Sequence, residues 1–394
     1  MQYAYSTRMS TLKPTAIREL MKYFIRTNCI LFASGNPSAE SFPLEDIRRI
    51  SADILETQAK EVLQYGISEG YEPLRELLKN RMKEKYRCGT DADEIIITSG
   101  SQQVIDLTCR ALLNEGDTIV CDNPSYVGAL NTFRSYRANI VGVDMDPDGI
   151  NTEKLEKTFR AEKNIKLLYL VPTFQNPTGI SISAGKRKDV YMLCKKYGVI
   201  ILEDNPYGDL RYRGEDILPI KSLDTDGIVV YCGSFSKILS AGIRVGYALA
   251  PRDLAQKIVI GKQVSDLHTN TFFQVLAERY MTLCDMDQHI KKICNLYRRK
   301  SSLMVSTMHR ELTGCSFQEP EGGFFVWCTL PPEIPMAEYC SRAVKNGVAV
   351  VPGSAFTVHP QDPCNSFRLN YSTPTDEQIV KGVEILGKTL RSFQ

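Results

Sequence analysis

Seven short apolar runs between residues 94 and 250 restrict the possible folds of this chain more than any other feature. They occupy residues 94–98, 118–121, 140–143, 166–170, 199–203, 228–231 and 245–250. Each is rich in β-branched or aliphatic residues and is bounded by Gly, Pro, Asn, Asp or Ser, which is the texture of buried strands. Segments with apolar residues at helical spacing fall between most of them. One is 102–113, with Val104, Ile105, Leu107, Ala111 and Leu112 in register, and 151–159 and 184–197 are others. This alternation predicts an α/β fold, a large domain whose mainly parallel sheet is sandwiched by helices. Ligands of such sheets gather beyond the carboxyl ends of the strands, so chemistry is expected in the loops that leave these runs.

The flanks have a different texture. Residues 1–40 read as an arm with a short amphipathic helix around 16–24. A helix opened by Pro43 follows, with Leu44, Ile47, Ile50 and Ile54 at helical spacing, and then another from Pro73 to Tyr86. A long basic helix is expected over 286–310. Beyond it, strands at 323–329, 348–351 and 367–371 and helices at 336–346 and 376–391 predict a smaller α+β domain. The expected division is an arm over 1–40 that joins the small domain, a large domain over 41–285 and a small C-terminal domain over 286–394.

The 394 residues carry a formal net charge of +2, which gives no electrostatic case for nucleic acid or a membrane surface. No apolar run approaches the roughly 18 residues of a membrane span. The N-terminus lacks the basic and apolar regions of a signal peptide. The twelve cysteines fall singly in apolar segments, with no Cys-x-x-Cys, and the four histidines are scattered. Buried thiols in a cytoplasmic protein are expected, with neither a disulfide frame nor a metal site.

Four strand-end stretches carry candidate chemistry. Thr98-Ser99-Gly100-Ser101-Gln102 opens a helix with small residues, so its free N–H groups and dipole end can hold an anion. Asn176-Pro177-Thr178-Gly179 is a rigid turn that can aim the Asn176 amide at a ligand oxygen. Asp204 follows Glu203 at the end of the apolar run 199–202, where a carboxylate is costly unless it meets a cation or a donor, and Tyr207 follows three residues on. Ser234-Phe235-Ser236-Lys237, with Arg244 beyond, offers an amine for Schiff-base chemistry beside groups suited to phosphate. Each stretch alone also reads as an ordinary cap, turn or surface loop. Their order and shared placement carry the weight.

The ordered set of Ser101-Gln102, Asn176-Pro177-Thr178-Gly179, Asp204-x-x-Tyr207, Ser234-x-x-Lys237 and Arg244 resembles the fold type I pyridoxal-phosphate aminotransferases of class I/II. It is similar to the branch with 2-aminoadipate and kynurenine aminotransferases, over nearly the whole chain. The resemblance implies pyridoxal 5′-phosphate as cofactor and ping-pong amino transfer from an L-amino acid (2-aminoadipate, glutamate, aromatic or branched-chain) to a 2-oxo acid. Lys237 would be the Schiff-base lysine and proton shuttle, and Asp204 the partner of the pyridinium nitrogen. Tyr207 and Asn176 would bond the phenolic oxygen, and Tyr126 would lie on the ring face. Ser101, Gln102, Ser234, Ser236 and Arg244 would hold the phosphate, with Tyr65 reaching in from the second subunit of a homodimer. Arg368 would grip the substrate α-carboxylate, with Gly35 and Arg18 of the arm also at the substrate.

The chain departs from that branch at Ser34-Gly35-Asn36-Pro37, where Gly-Gly-Leu-Pro is usual, and at Asn205 beside Asp204. The same constellation also serves fold type I lyases and decarboxylases. A catalytically silent sensor domain, as in helix-turn-helix regulators, is a further alternative, although the chain begins almost directly with the Ile17-Arg18 helix.

Overall fold

The structure is a computed structural model and describes residues 3–10, 12 and 29–393. The helix expected around 16–24, and Arg18 with it, lies outside the described residues.

The first strand, β1 (Ile30–Leu31), precedes the large sheet, whose first members are β2 (Asp93–Thr98), β3 (Thr118–Asn123) and β4 (Asn139–Asp146). It continues through β5 (Gly149–Ile150), β6 (Ile165–Leu170), β7 (Ile200–Asp204), β8 (Val229–Ser234) and β9 (Gly246–Pro251). The spatial order is β2-β9-β8-β7-β6-β3-β4-β5. From β4 across β3, β6 and β7 to β8 the pairing is parallel. β9 instead runs antiparallel to both β2 and β8. Residues 235–245 between β8 and β9 form no helix, and a parallel return needs a long crossover that is usually helical.

Side-chain alternation divides the strands between two apolar layers. Leu167, Tyr169, Leu202 and Val230 enter one core with Val104, Leu107 and Ile258 from the helices on that side. Leu168, Leu170, Ile201 and Val229 enter the other, with Leu155, Phe159, Val190 and Cys194. Burial on both faces explains why these strands read as unbroken apolar runs. Each fully buried aliphatic side chain contributes roughly 1.5–3 kcal/mol.

A smaller antiparallel sheet follows, made of β10 (Ser316–Phe317), β11 (Phe325–Thr329), β13 (Val351–Pro352) and β14 (Ser366–Asn370), in the order β10-β11-β14-β13. The N-terminal segment joins it: β1 pairs in parallel with β12 (Val348–Ala349), and the Asn370 N–H donates to the Phe32 carbonyl at 2.9 Å. The single strand expected over 348–351 is therefore two short ones, because Val348–Ala349 and Val351–Pro352 pair with different neighbours. The helix Met286–Glu311 links the two sheets, and its Lys300 is buried, donating to the Pro374 carbonyl at 2.7 Å. The helix Leu44–Thr57 forms as expected, but Leu44 at its first position is 61% exposed while Ile50 and Ile54 are buried. Among the described residues no helix is long and apolar enough to cross a membrane. No cluster of side chains there could hold a metal ion.

Candidate active site

The loops that leave β2, β3, β6, β7 and β8 converge with the segment 33–36 and with β14 on one cavity of about 560 Å3. Ser101, Gln102, Tyr126, Asn176, Asp204, Tyr207, Ser234, Ser236, Lys237, Arg244, Gly35 and Arg368 all line it. Tyr65 does not. It is 79% exposed on the surface of its own chain, with its ring edge-on to His268.

One end of the cavity is an anion cradle. The helix Ser101–Leu112 starts from Gly100 with no side-chain cap, so its first N–H groups face the cavity unclaimed. The Gln102 side chain turns away and donates to Thr132 Oγ1 at 2.8 Å, which leaves its main chain for a ligand. Arg244 closes the cradle, donating to Ser236 Oγ at 3.2 Å and to the Ser99 carbonyl at 3.2 Å. Gly100 sits at φ +82°, and a Cβ there would lie 2.1 Å from Arg244 Nη2, so both backbone and space require glycine.

Lys237 stands in the middle. Its amine donates to the Gly35 carbonyl at 2.9 Å and lies 5.9 Å from the Tyr207 ring centre and 5.6 Å from that of Phe324. Burial, then the nearby cations Arg244 and Arg368, lower its pKa to about 8 against the opposing pull of Asp204. Asp204 lies on the cavity floor, where burial raises its carboxyl to about 6 despite a hydrogen bond from Tyr169. Its Oδ2 accepts that bond at 2.9 Å, whereas Oδ1 is buried with no hydrogen-bond partner among the described residues.

The cavity is also lined by Arg368, a buried cation with no carboxylate beside it among the described residues. Nη1 donates to Asn176 Oδ1 at 2.7 Å, and Nη2 to the Ala33 and Ser34 carbonyls at 2.9 and 3.2 Å. The Phe325 and Phe356 rings flank the guanidinium, 4.3 and 5.0 Å from its carbon. Nε has no hydrogen-bond partner among the described residues, and burial lowers the pKa to about 10. A buried cation held only by neutral oxygens is incomplete without an anion.

Twelve of the fourteen predicted site residues thus line one cavity; Tyr65 does not, and Arg18 lies outside the described residues. Residues 27–386 match the aminotransferase class I and II family. The chain belongs to that family. It is similar to aromatic-amino-acid aminotransferase 1 of Thermococcus litoralis, 40% identical over 392 residues that span 98% of this chain and 94% of that protein. It is also similar to a 2-aminoadipate transaminase of Thermus thermophilus, 34% identical over 99% of this chain and 97% of that protein. Among solved structures, a Pyrococcus horikoshii kynurenine aminotransferase in complex with PMP superposes with a TM-score of 0.95 at 38% identity, covering 98% of this chain and 97% of that one. The chain is a pyridoxal 5′-phosphate-dependent aminotransferase of fold type I, as the resemblance implied.

The residues present fit that cofactor. The uncapped helix end beside Arg244 suits a phosphate dianion, the orphaned Asp204 Oδ1 suits a ring N–H donor, and Lys237 is an amine with a depressed pKa. Several participants escape a reading of sequence alone. Phe325 and Phe356, which flank Arg368, and the carbonyls of Ala33 and Ser34 gave no signal. A signal for Tyr169 exists in retrospect: a lone hydroxyl inside the otherwise aliphatic run 167–171.

Proposed function

We propose that the enzyme moves the amino group of an L-amino acid, of aromatic or 2-aminoadipate type, to a 2-oxo acid by a ping-pong route in the cavity described above. The observation that carries this reading is the convergence of the Lys237 amine, the Asp204 carboxylate and the uncompensated Arg368 cation on a single 560 Å3 space. The names of the similar proteins support the donor class: one acts on aromatic amino acids, another on 2-aminoadipate.

Pyridoxal phosphate, when bound, supplies an aldehyde carbon and a ring that withdraws electrons from the substrate's Cα. This chain's residues supply the rest. Ser101 and Gln102 main chain, Ser234, Ser236 and Arg244 would hold the phosphate. The Asp204 carboxylate would pair with the ring nitrogen and favour its protonated form, while Tyr207 and the Asn176 amide would donate to the phenolic oxygen. Arg368 fixes Asn176 through Oδ1, so the Asn176 NH2 is the end left to donate. Arg368 also has donors to spare for the substrate α-carboxylate, since three of its five N–H groups are spent on the contacts given above. Holding that carboxylate to one side orients the Cα–H bond, and the Lys237 amine then takes and returns the proton. With Arg368 anchoring the carboxylate, proton removal is favoured over loss of carbon dioxide.

The assembly belongs to the same proposal: a cytoplasmic homodimer in which Tyr65, exposed on its own chain, completes the partner's phosphate site. The large and small sheets would be two domains meeting at residues 286–311, with Gly35 and the arm closing over the substrate.

The test is the visible absorption of the cofactor-loaded protein as single amino acids are added without any oxo acid. Bleaching of the lysine-bound cofactor by aromatic amino acids or 2-aminoadipate supports the reading. Released carbon dioxide or ammonia in place of a 2-oxo acid refutes it.

A further inference from the structure

One buried polar group in the site has no part in the scheme above. Tyr169 is fully buried in β6, and its hydroxyl donates to Asp204 Oδ2 at 2.9 Å. The sheet register forces the meeting. Tyr169 is paired with Leu202, and Asp204 with Cys232, so the Tyr169, Asp204 and Cys232 side chains leave the same face of three adjacent strands. The Phe133 ring, edge-on at 5.4 Å, fixes the plane of the Tyr169 ring. A carboxylate turns easily about its last bond unless one oxygen is pinned. Here Oδ2 is pinned by Tyr169, and Oδ1, buried without a hydrogen-bond partner among the described residues, is the oxygen left for the cavity.

We propose that Tyr169 is a positioning residue for the transamination reaction, its O–H holding the Asp204 carboxylate ionised and with Oδ1 directed at the ring nitrogen of the cofactor. The inference rests on the cofactor site described under the proposed function. The other groups that face Asp204 are few. Cys232 comes from β8 and donates its thiol weakly toward the Ser101 carbonyl at 3.5 Å, Lys237 lies in the loop beyond that strand, and Tyr126 and Tyr207 line the cavity. Burial raises the pKa of both tyrosines and of Cys232, so all three remain neutral. Asp122, in the neighbouring β3, also acts on Tyr169 through its charge; burial raises its own carboxyl to about 7, and it accepts from Ser125 Oγ at 2.7 Å. Among the described residues Tyr169 is the oxygen donor to the Asp204 carboxylate, and its bond, followed by the Cys232 thiol and the Lys237 charge, lowers the pKa against the upward push of burial.

The experiment compares holoenzyme of wild type, Tyr169→Phe, Asp204→Asn and the double variant. The measurements are the rate of pyridoxal phosphate release into an apo-protein trap and the pH profile of the amino-acid half-reaction. Losing one hydrogen bond to a charged group is expected to speed release in Tyr169→Phe about 10-fold and to move the acid limb of the profile upward by about one pH unit. In the Asp204→Asn background the same change is expected to add nothing, because its effect passes through that carboxylate. A Tyr169→Phe protein with unchanged release and pH profile overturns the role, even if its urea midpoint falls. So does an equal effect of the change with and without Asp204. A wild-type protein that takes up no pyridoxal phosphate overturns the site reading itself and this proposal with it. A wild type that binds the cofactor, beside a variant that behaves identically, overturns the role of Tyr169 alone.

Discussion

Attachment of pyridoxal phosphate to Lys237 should accelerate with pH up to about 8 and then level off. Only a neutral amine carries the lone pair that attacks an aldehyde carbon, so the rate follows the neutral fraction. Burial and the cations Arg244 and Arg368 favour the neutral form, which puts the pKa near 8. At pH 7 roughly one amine in eleven is then neutral, against roughly one in 2,500 for an ordinary lysine of pKa near 10.4. The site therefore makes Lys237 roughly 200-fold more available at neutral pH, worth about 3 kcal/mol. The sign follows from the depressed pKa: reactivity is present above about 8 and is lost as pH falls through it. Stopped-flow mixing of apo-protein with pyridoxal phosphate from pH 6 to 10.5 reads the profile, with Lys237→Ala subtracting reaction at surface lysines. Below pH 8 the rate should change about tenfold per pH unit. Arg368→Met, which removes one of the two cations, should move the plateau to higher pH. A wild-type rate that still climbs tenfold per unit through pH 10 would refute the reasoning.

Arg368→Gln should lower kcat/KM for amino acids about 100-fold, near 3 kcal/mol, while the protein still loads with cofactor. Steady-state kinetics beside cofactor absorbance checks this, and wild-type kcat/KM would exclude the carboxylate role. Mixing Lys237→Ala subunits with Tyr65→Ala subunits should restore about a quarter of wild-type activity, because each mixed dimer holds one intact site and half the dimers are mixed. No recovery after exchange would mean that Tyr65 serves its own chain or neither. Lys221→Met should cost about 3–5 kcal/mol in urea unfolding. Lys221 Nζ is buried against Asp93 Oδ1 at 2.6 Å, Asp224 Oδ2 at 2.9 Å and the Val229 carbonyl at 2.9 Å, and its loss strands two buried carboxylates. A midpoint equal to wild type would show that water reaches that cluster.

The large sheet and its strand-end loops were legible from residue order because their signals are local. A run such as 199–202 is apolar throughout since both faces of its strand are covered, and the polar residues that end it mark where the chain leaves the sheet. Lys237, Asp204, Asn176 and Ser101 could therefore be placed at strand ends before any contact was known. The antiparallel turn of β9 was not legible, because the direction of a strand depends on whether its connection can cross the sheet. Nor was the split of 348–351 into two strands with separate partners.

What only tertiary structure decided is how the polar groups are completed. Arg368 draws its oxygens from Ala33 and Ser34 and its aromatic sheath from Phe325 and Phe356, all remote from it along the chain or on a neighbouring strand. Lys237 meets the Gly35 carbonyl only because β1 is seated beside β12, which brings the segment 33–36 over the strand ends. Tyr169 reaches Asp204 only through the register of β6 on β7. A sequence dictates which residues are apolar, small or charged and with what period. The pKa of an amine and the free oxygen of a carboxylate depend on burial and on neighbours, and these exist only once distant strands have paired.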